Sequence, residues 1–407
     1  MSEQTNLFDM LDGDDSYMTP EAVALVKAAR EIAPRLKDRA KMTDETGSVP
    51  VESVKEIIEA GLFRILQPKR WGGSEMDPRV FYKAQMALAE GCMSTAWIFG
   101  VIGVHYWQLS LFPEKAQQEV LADNPATLIA STYMPTGQAT KVEGGYRFSG
   151  KWEFSSGVEH CSWIFLGGLL PKPNGEEGLE HTTFLLPASD FKIEQNWDVH
   201  GLRGTGSHDI VVEDVFVPEH RTQRTNNYSD AGCPGRETNS GWLYKIPFIQ
   251  VFQRAVSSAC MGALDGAVNE FRTRAAAHIG KHGAKTAEDV NAQMAVTEAM
   301  IASDQLKLVL TRNYQRIVDN AMNGTTMEVE ERLLQRAQSA RVPKICAELA
   351  DELLRASAGA GLRKSNPIER INRDLKQARA HIANNADAYA RAHGAVMLGL
   401  PNMDPFV

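Results

Sequence analysis

The sequence contains few cysteines, and none of them lies in a metal-binding or redox spacing. There are five among 407 residues, an odd number, and no Cys-x-x-Cys pair occurs. A disulfide framework or a structural zinc site is therefore disfavoured, and we expect idle or buried thiols in a reducing compartment. The cysteines are Cys92, Cys161, Cys233, Cys260 and Cys346.

The chain also lacks an excess of basic residues and a long apolar run. Its 43 Lys and Arg against 51 Asp and Glu give a formal net charge of -8, which argues against nucleic acid or an anionic membrane surface as a partner. The most apolar early stretch, residues 95–112, is interrupted by His105, Gln108 and Ser110 and falls short of the roughly 20 residues of a membrane span. It predicts a buried helix instead. The acidic N-terminus has no signal-peptide features, so we expect a cytoplasmic protein without membrane segments.

Several motifs that mark common enzyme chemistries are missing. The sequence has no complete Gly-x-Gly-x-x-Gly fingerprint, no phosphate-binding P-loop and no Gly-x-Ser-x-Gly elbow. No Glu-x-x-His pair supports a di-iron bundle. His278 and His282 stand four residues apart, but the glycines around them indicate a helix end, and we expect no metal. Without a dinucleotide motif, electrons for any redox reaction must come from another protein.

Helical patterning dominates the first part of the chain. Residues 1–16 are acidic and polar, which predicts a disordered tail. Residues 17–125 form a predicted N-terminal helical domain that begins at Thr19-Pro20, a cap residue followed by proline at the first helical position.

Residues 126–235 change to short β-type runs punctuated by glycine, proline and asparagine, which predicts a small barrel or sandwich. The predicted strands are 128–133, 139–143, 146–154, 162–170, 182–186, 191–196 and 209–217.

Residues 236–407 return to helical patterning with short connections. Four long predicted helices, at 252–280, 287–324, 329–359 and 367–398, favour an antiparallel four-helix bundle. The predicted fold class is therefore mainly α with a central β domain.

Four stretches carry a family resemblance. In this order and spacing they resemble the oxygenase components of two-component flavin-dependent aromatic monooxygenases, a family of the acyl-CoA dehydrogenase superfamily that includes p-hydroxyphenylacetate and secosteroid phenol hydroxylases. The stretches are GLFRILQPKRWGG at 61–73 with STAW at 94–97 and HYW at 105–107; GKWEFSSG at 150–157; GLRGTGS at 201–207 with VFVP at 215–218; and PIER at 367–370 with Arg373, Asp374 and His381.

One departure from true acyl-CoA dehydrogenases is informative. Those enzymes usually carry Tyr-Glu-Gly-Thr shortly after the Arg-Asp pair, whereas residues 380–384 here read AHIAN. The carboxylate that would take a proton from a thioester is absent, and a histidine, with an ordinary pKa near 6.5, stands in its place.

The resemblance implies a reaction and its participants. Reduced FMN or FAD would arrive as a diffusible co-substrate from a separate NAD(P)H:flavin reductase, and O2 would add to it as a flavin hydroperoxide that hydroxylates a small phenolic or related aromatic substrate. Such enzymes serve the catabolism of aromatic compounds, and the fold implies a homotetramer. The chemistry requires a site that excludes water and a phenol made electron-rich.

The resemblance also assigns the catalytic residues. His381 would be the base or orienting group for the phenol, although a helix-face histidine bonded to a carbonyl would look the same in the sequence. Ser156 would hydrogen-bond the flavin nitrogen beside the oxygenated carbon, where a hydroxyl can donate, with Ser155 as a neighbour contact. Two serines before a glycine also suit an ordinary turn.

Further contacts follow from the same resemblance. His105 would lie near both substrate and flavin. Ser131 would contact the substrate. Thr132 is the alternative residue for that contact and would also contact the cofactor. Trp97 and Trp152 would pack against the isoalloxazine, although most aromatic residues are core residues.

One more assignment involves a second subunit. Arg274 would hold the flavin phosphate across a subunit interface, although most bundle arginines are solvated.

Three alternatives remain open. The same fold could oxygenate an indole, sulfur or nitrogen substrate, or act as a flavin-dependent acyl-CoA dehydrogenase-like enzyme without the usual glutamate. A non-catalytic bundle for assembly is the third, and the placement of histidines and serines counts against it.

Overall fold

The structure is a computed structural model that describes residues 16–172, 176–224, 233–279, 284–404 and 407. The predicted tail lies almost wholly outside these ranges, as does His282 of the disfavoured metal pair.

Five α-helices form the N-terminal segment from residue 16 onward, where the structure describes it. Thr19 caps the first helix by accepting the Ala22 backbone N–H at 3.2 Å, as its sequence predicts. Among the described residues, no helix has both the length and the apolar character needed to cross a membrane. The helices are α1 (Pro20–Thr46), α2 (Val51–Glu59), α3 (Pro78–Gly91), α4 (Met93–Leu109) and α5 (Glu114–Leu121).

The fourth helix is buried along its whole length. All of its 17 residues are shielded from solvent, which confirms the buried helix predicted from its apolar run. A helix that is apolar all round has no surface face, so its few polar side chains must find partners inside the protein.

The strands form one mixed seven-stranded sheet in the order β5-β6-β2-β1-β3-β4-β7, where the sequence predicts a small barrel or sandwich. Only β1 and β3 run parallel among the paired strands. The strands are β1 (Ile129–Val142), β2 (Gly145–Ser155), β3 (Trp163–Pro171), β4 (Leu179–Pro187), β5 (Lys192–Glu194), β6 (His208–Pro218) and β7 (Thr222–Arg224).

Two predicted strands are one strand in the structure. The runs 128–133 and 139–143 belong to β1, which passes from β3 to β2 through an irregularity between Thr132 and Gly137. Pro135 and Gly137 suggest a break in the sequence, but a bulge accommodates both residues without ending the strand. The short strand β7 was not predicted.

The C-terminal segment contains six helices among the described residues rather than four. The first predicted helix is interrupted after Ala255, and the last is interrupted between Ala378 and Ala386. The helices are α6 (Phe248–Ala255), α7 (Ser258–Ala277), α8 (Val290–Asn323), α9 (Val329–Ala356), α10 (Pro367–Ala378) and α11 (Ala386–Met397).

Two asparagines account for the interruption of the last helix. The buried Asn384 side chain donates to the carbonyls of Val256 at 3.0 Å and Ala378 at 2.9 Å. The Asn385 side chain then caps α11 by accepting the Ala388 N–H at 3.1 Å. Asparagine competes well for backbone partners outside helices, so the chain leaves the helix here and starts a new one.

Side chains pack in two cores. The larger core joins both helical segments, and the smaller one lies within the β segment. The domain limits near residues 125 and 235 stay a prediction, but the two helical segments share their buried side chains.

A close contact between α3 and α7 depends on glycine. A Cβ added at Gly262 would lie 2.0 Å from the Met86 carbonyl oxygen, and one at Gly266 would lie 2.7 Å from that of Glu90. Backbone atoms cannot yield as a side-chain tip can, so glycine permits the approach.

Gly262→Ala should destabilise the fold, because the new methyl group forces the two helices apart. We expect a loss of roughly 2 kcal/mol or more, seen as a thermal midpoint lowered by several degrees. Gly394→Ala is the matched control in α11, since no atom lies within 4 Å of its added Cβ, and it should be neutral or slightly stabilising. Equal midpoints for both variants would contradict the assigned contact.

Candidate active site

His381 lies in the interruption between α10 and α11. Its Nδ1 accepts the Ala383 backbone N–H at 3.1 Å and so caps the short 3₁₀ turn at Ile382–Asn384. A neutral imidazole carries one proton, so occupation of Nδ1 as an acceptor puts that proton on Nε2. Neutral His381 therefore presents a hydrogen-bond donor to its surroundings.

Two aromatic side chains surround the His381 ring. Trp97 of α4 meets it edge-on with ring centroids 5.7 Å apart, and Phe252 of α6 lies at 6.4 Å. Desolvation among these rings lowers the pKa of His381 from its ordinary value to about 4. The ring is consequently neutral near pH 7, and the tautomer set by Ala383 is the relevant form.

His105 carries the opposite tautomer. This fully buried residue of α4 places Nδ1 2.5 Å from the Ile129 carbonyl oxygen, which can only accept a hydrogen bond. The proton is therefore on Nδ1, and Nε2 keeps a lone pair that has no partner among the described residues. Burial lowers the pKa of His105 to about 4, so it too is neutral.

Tyr133 connects the two histidines through ring contacts. Its ring centroid lies 6.3 Å from that of His105 and 5.3 Å from that of Phe252, which in turn contacts His381. Its hydroxyl donates to the Gln108 side chain. The sequence analysis missed Tyr133 and Phe252, because neither lies in a motif and each reads as an ordinary core aromatic.

Ser131 and Thr132 point to opposite faces of β1, as neighbours on a strand must. Ser131 shares the face of Tyr133, and hydrogen bonds with Ser131 and Gln108 oppose the rise that burial causes in the pKa of Tyr133. Thr132 instead donates its hydroxyl to the Glu153 carbonyl at 2.9 Å. The structure thus groups Ser131 with the histidines and engages Thr132 in strand pairing.

Ser156 lies beside Trp97 at the end of β2. Its Oγ is 3.3 Å from Trp97 Nε1 and 2.7 Å from the Ser207 Oγ. The buried Ser155 hydroxyl donates to the Ser131 carbonyl at 3.4 Å. Gly157 has φ 69° and its added Cβ would lie 2.9 Å from Ile102, so the turn rests directly on α4.

Phe154, just before these serines, has an unusual backbone. Its φ is 69° although it is not glycine, it is 58% exposed, and its ring lies 6.1 Å from that of Trp197. Such conformations are costly and cluster at functional sites. Phe154 and Trp197 thus form an aromatic contact that begins two residues before Ser156 in the chain, and no sequence signal pointed to it.

The third and fourth sequence stretches meet near this point. Asp374 Oδ1 accepts the Leu202 backbone N–H at 2.6 Å, and a Cβ added at Gly201 would lie 2.2 Å from the Arg373 carbonyl oxygen. The Arg373 guanidinium donates to the His200 carbonyl at 2.8 Å. These contacts hold the loop that carries Ser207 against α10.

Two of the expected cofactor residues are not brought to this cluster. Trp152 is fully buried in the β core and donates its Nε1–H to the Gly167 carbonyl at 2.8 Å. This position matches the alternative given in the sequence analysis, that Trp152 is an ordinary core aromatic. Arg274 is half-exposed near the end of α7, 3.4 Å from Glu270. Its expected contact involves a second subunit and stays a prediction.

An open pocket of about 430 Å³ is lined by residues on both sides of His381 in the chain. Lys344 and Arg379 bring two positive charges to its lining, Asp387 brings one negative charge, and Asn384 and Asn385 add amide groups. The two positive charges against one negative charge suit an anionic group.

Comparisons with known proteins agree over nearly the whole chain. Family models match residues 19–123 (acyl-CoA dehydrogenase, N-terminal domain) and 255–386 (acyl-CoA dehydrogenase, C-terminal domain). The flavin-dependent monooxygenase oxygenase subunit HsaA of Rhodococcus jostii is 35% identical over 92% of this chain and 98% of the relative.

Two further matches extend this likeness. The oxygenase component of the FADH(2)-dependent resorcinol hydroxylase of a Rhizobium species is 32% identical over 96% of this chain and 98% of its own length. The crystal structure of 3-HSA hydroxylase from a Rhodococcus species superposes with a TM-score of 0.90 at 34% identity, covering 96% of this chain and 100% of that one.

The depressed pKa of His105 predicts a pH-dependent stability. The unfolded histidine titrates near pH 6.5 and the folded one near 4, so the unfolded state binds more protons between these values and stability falls as the pH falls through this window. His105→Gln should reduce the loss of unfolding free energy between pH 6.5 and 4.5 by about 2 kcal/mol, measured by urea denaturation across pH.

His200→Gln replaces an exposed histidine and serves as the control. If wild type and His105→Gln lost stability equally on acidification, the buried neutral imidazole would be ruled out.

Proposed function

The chain belongs to the oxygenase subunits of flavin-dependent monooxygenases, built from acyl-CoA dehydrogenase domains, and we propose that it hydroxylates a phenolic ring. Membership confirms the resemblance, the fold and the dependence on reduced flavin predicted from the four sequence stretches. The observation that carries the phenol assignment is the pair of neutral histidines with opposite tautomers.

A phenol hydroxyl both donates and accepts hydrogen bonds. The unpartnered Nε2 lone pair of His105 can accept its proton, and the Nε2–H of His381 can donate to its oxygen. Both rings border the aromatic contacts of Tyr133 and Phe252, against which a flat apolar ring would pack. The pair therefore suits a phenol better than an unsubstituted thioether, which offers no proton.

The magnitudes favour hydrogen bonding over full proton transfer before reaction. A phenol has a pKa near 10, whereas His105 has a pKa of about 4, so complete transfer costs roughly 8 kcal/mol. His381 cannot serve as a base through Nε2 while Ala383 occupies its Nδ1. Of its two expected roles, we therefore assign His381 the orienting one, and His105 polarises the O–H bond.

The residues at the site fit a flavin. Reduced flavin, when bound, supplies the two electrons that split O2, so that one oxygen atom enters the substrate and the other leaves as water. The Ser156 hydroxyl would meet the polar edge of the ring, with Trp97 beside it and the exposed Phe154 two residues earlier in the chain. Lys344 and Arg379 would hold the anionic end in the pocket beside the His381 loop.

The surroundings limit access of water to the reacting atoms. Trp97 and His105 are almost fully buried, and the rings of Tyr133, Phe248 and Phe252 contact one another at centroid distances of 5.2 to 5.3 Å. Exclusion of water suppresses wasteful release of hydrogen peroxide. These side chains thereby couple flavin oxidation to hydroxylation.

A separate NAD(P)H:flavin reductase is the proposed electron source, since the sequence carries no dinucleotide fingerprint of its own. Free reduced flavin reacts with O2 in solution, so the reductase must work in the same compartment, and we place both in the cytoplasm.

We also propose a homotetramer. An apolar stripe runs along α8, where Met294, Ile301 and Leu308 are exposed by 59%, 47% and 47% at seven-residue spacing, the period of helix–helix seams. Burial of these side chains against another copy would stabilise an assembly through the bundle.

Reconstitution with a flavin reductase, NAD(P)H and ¹⁸O2 tests the reaction. We expect one ¹⁸O atom in the ring of a phenol, from a panel of phenols, indoles and organic sulfides analysed by mass spectrometry. His381→Ala should lose hydroxylation at least tenfold while flavin oxidation and hydrogen peroxide release continue, because the substrate is no longer oriented.

His200→Ala, an exposed histidine, is the matched control and should keep the wild-type product yield. Label found only on indole or sulfur would refute the phenol assignment. Undiminished product from His381→Ala would remove the orienting role.

The tetramer is tested by the double variant Ile301→Lys/Leu308→Lys. Two charges in the stripe should dissociate the assembly, measured as the native mass by light scattering after size exclusion. Met42→Lys, an exposed apolar position on α1, should leave the mass of four chains unchanged. A tetramer that persists in the double variant places the interface elsewhere.

A further inference from the structure

A line of side-chain hydrogen bonds ends at Ser156. The Ser156 and Ser207 hydroxyl oxygens are 2.7 Å apart, the Ser207 and Thr205 hydroxyl oxygens are 2.7 Å apart, and the Thr205 hydroxyl lies 2.8 Å from the Leu202 carbonyl oxygen. At the other end, Trp97 Nε1 lies 3.3 Å from the Ser156 oxygen. We call these groups the hydroxyl relay.

The two ends of the hydroxyl relay fix its direction. A carbonyl oxygen only accepts, so the Thr205 proton points to Leu202. Ser207 must then donate to Thr205, since Thr205 has no second proton, and Ser156 must donate to Ser207 for the same reason. The indole N–H only donates, which makes the Ser156 oxygen its acceptor.

The surroundings hold this direction. Thr205 and Ser207 are 2% and 4% exposed, so water has little access to exchange partners with them. The Leu202 carbonyl that anchors the relay is itself held, because Asp374 binds the Leu202 N–H at 2.6 Å. The Gly157 N–H donates to the Thr205 carbonyl at 2.8 Å, which ties the Ser156 turn to the same loop.

The consequence concerns what Ser156 offers to a ligand. Its one proton is committed to Ser207 and one lone pair to Trp97, so only an accepting lone pair remains. The flavin nitrogen that the resemblance assigns to Ser156 is N5, the one beside the oxygenated carbon. N5 carries a hydrogen in reduced flavin and a bare lone pair in oxidised flavin. An accepting hydroxyl complements the first form and opposes the second.

Resting on the flavin-dependent function proposed above, we propose that Thr205 and Ser207 are positioning residues that fix Ser156 as an acceptor and thereby make the site prefer reduced over oxidised flavin. This polarity is opposite to the donor role that the sequence suggests for Ser156. The preference would let spent cofactor leave and fresh reduced cofactor enter without a change of shape.

Dissociation constants for both redox forms test the proposal. FMN and, in parallel, FAD are titrated oxidised in air by fluorescence quenching, and photoreduced under anaerobic conditions by ultrafiltration. Thr205→Val keeps the side-chain shape but frees the relay to reverse, so that Ser156 can donate. Oxidised flavin should then bind more tightly, and the preference for reduced flavin should shrink by about tenfold, the effect of one hydrogen bond.

Thr205→Ser is the matched control. It keeps a hydroxyl that can donate to Leu202, so the wild-type preference should return. Ser207→Ala releases the Ser156 proton by a second route and should shrink the preference in the same direction, which covers the case that Thr205→Val fails to fold.

The outcomes separate this inference from the function on which it rests. If the folded variants weaken both redox forms equally, or leave the ratio unchanged, the hydroxyl relay is structural and the proposal is wrong. If wild type binds neither form of either flavin, the proposed function itself fails. A preference that falls in Thr205→Val and recovers in Thr205→Ser supports the assignment.

Discussion

The structure depends on α4, a helix with no exposed face. All of its residues are buried, so each polar side chain needs an internal partner or pays the cost of desolvation. His105 meets this demand at the Ile129 carbonyl, and Trp97 meets it at the Ser156 hydroxyl. Both partners belong to the β segment, so the same bonds that satisfy the helix fix the sheet against it.

Burial then determines the chemistry that the histidines can perform. Desolvation keeps both rings neutral near pH 7, and each ring has one nitrogen occupied by the backbone. What remains is one acceptor, on His105, and one donor, on His381. An arrangement of this kind directs a substrate through hydrogen bonds and does not need a strong base.

The last helix of the chain shows how local pattern and tertiary contact compete. Residues 367–398 read as one helix because their composition favours it. The Asn384 side chain instead binds carbonyls of Val256 and Ala378, and the resulting break places His381 beside Trp97. The functional position of the histidine follows from the contact between Asn384 and Val256, which are 128 positions apart and which helical periodicity does not bring together.

The sequence by itself determined the order of a helical, an extended and a second helical part, that α4 is buried, and which family the motif stretches resemble. It also drew attention to His105, His381 and Ser156, which lie in those stretches, and to Ser131, which the resemblance assigns to the substrate. The same stretches suggested Trp152 as a cofactor contact, yet its side chain lies in the β core. A motif gives the residue type but not the face of the strand on which the side chain lies.

Tertiary structure alone decided the direction of the hydrogen bonds. The tautomer of His105 depends on a carbonyl 24 residues away, and the polarity of Ser156 depends on Ser207, 51 residues away. A hydroxyl or an imidazole can donate or accept, so its residue type leaves the choice open. Only the partners that folding brings within about 3 Å remove that freedom.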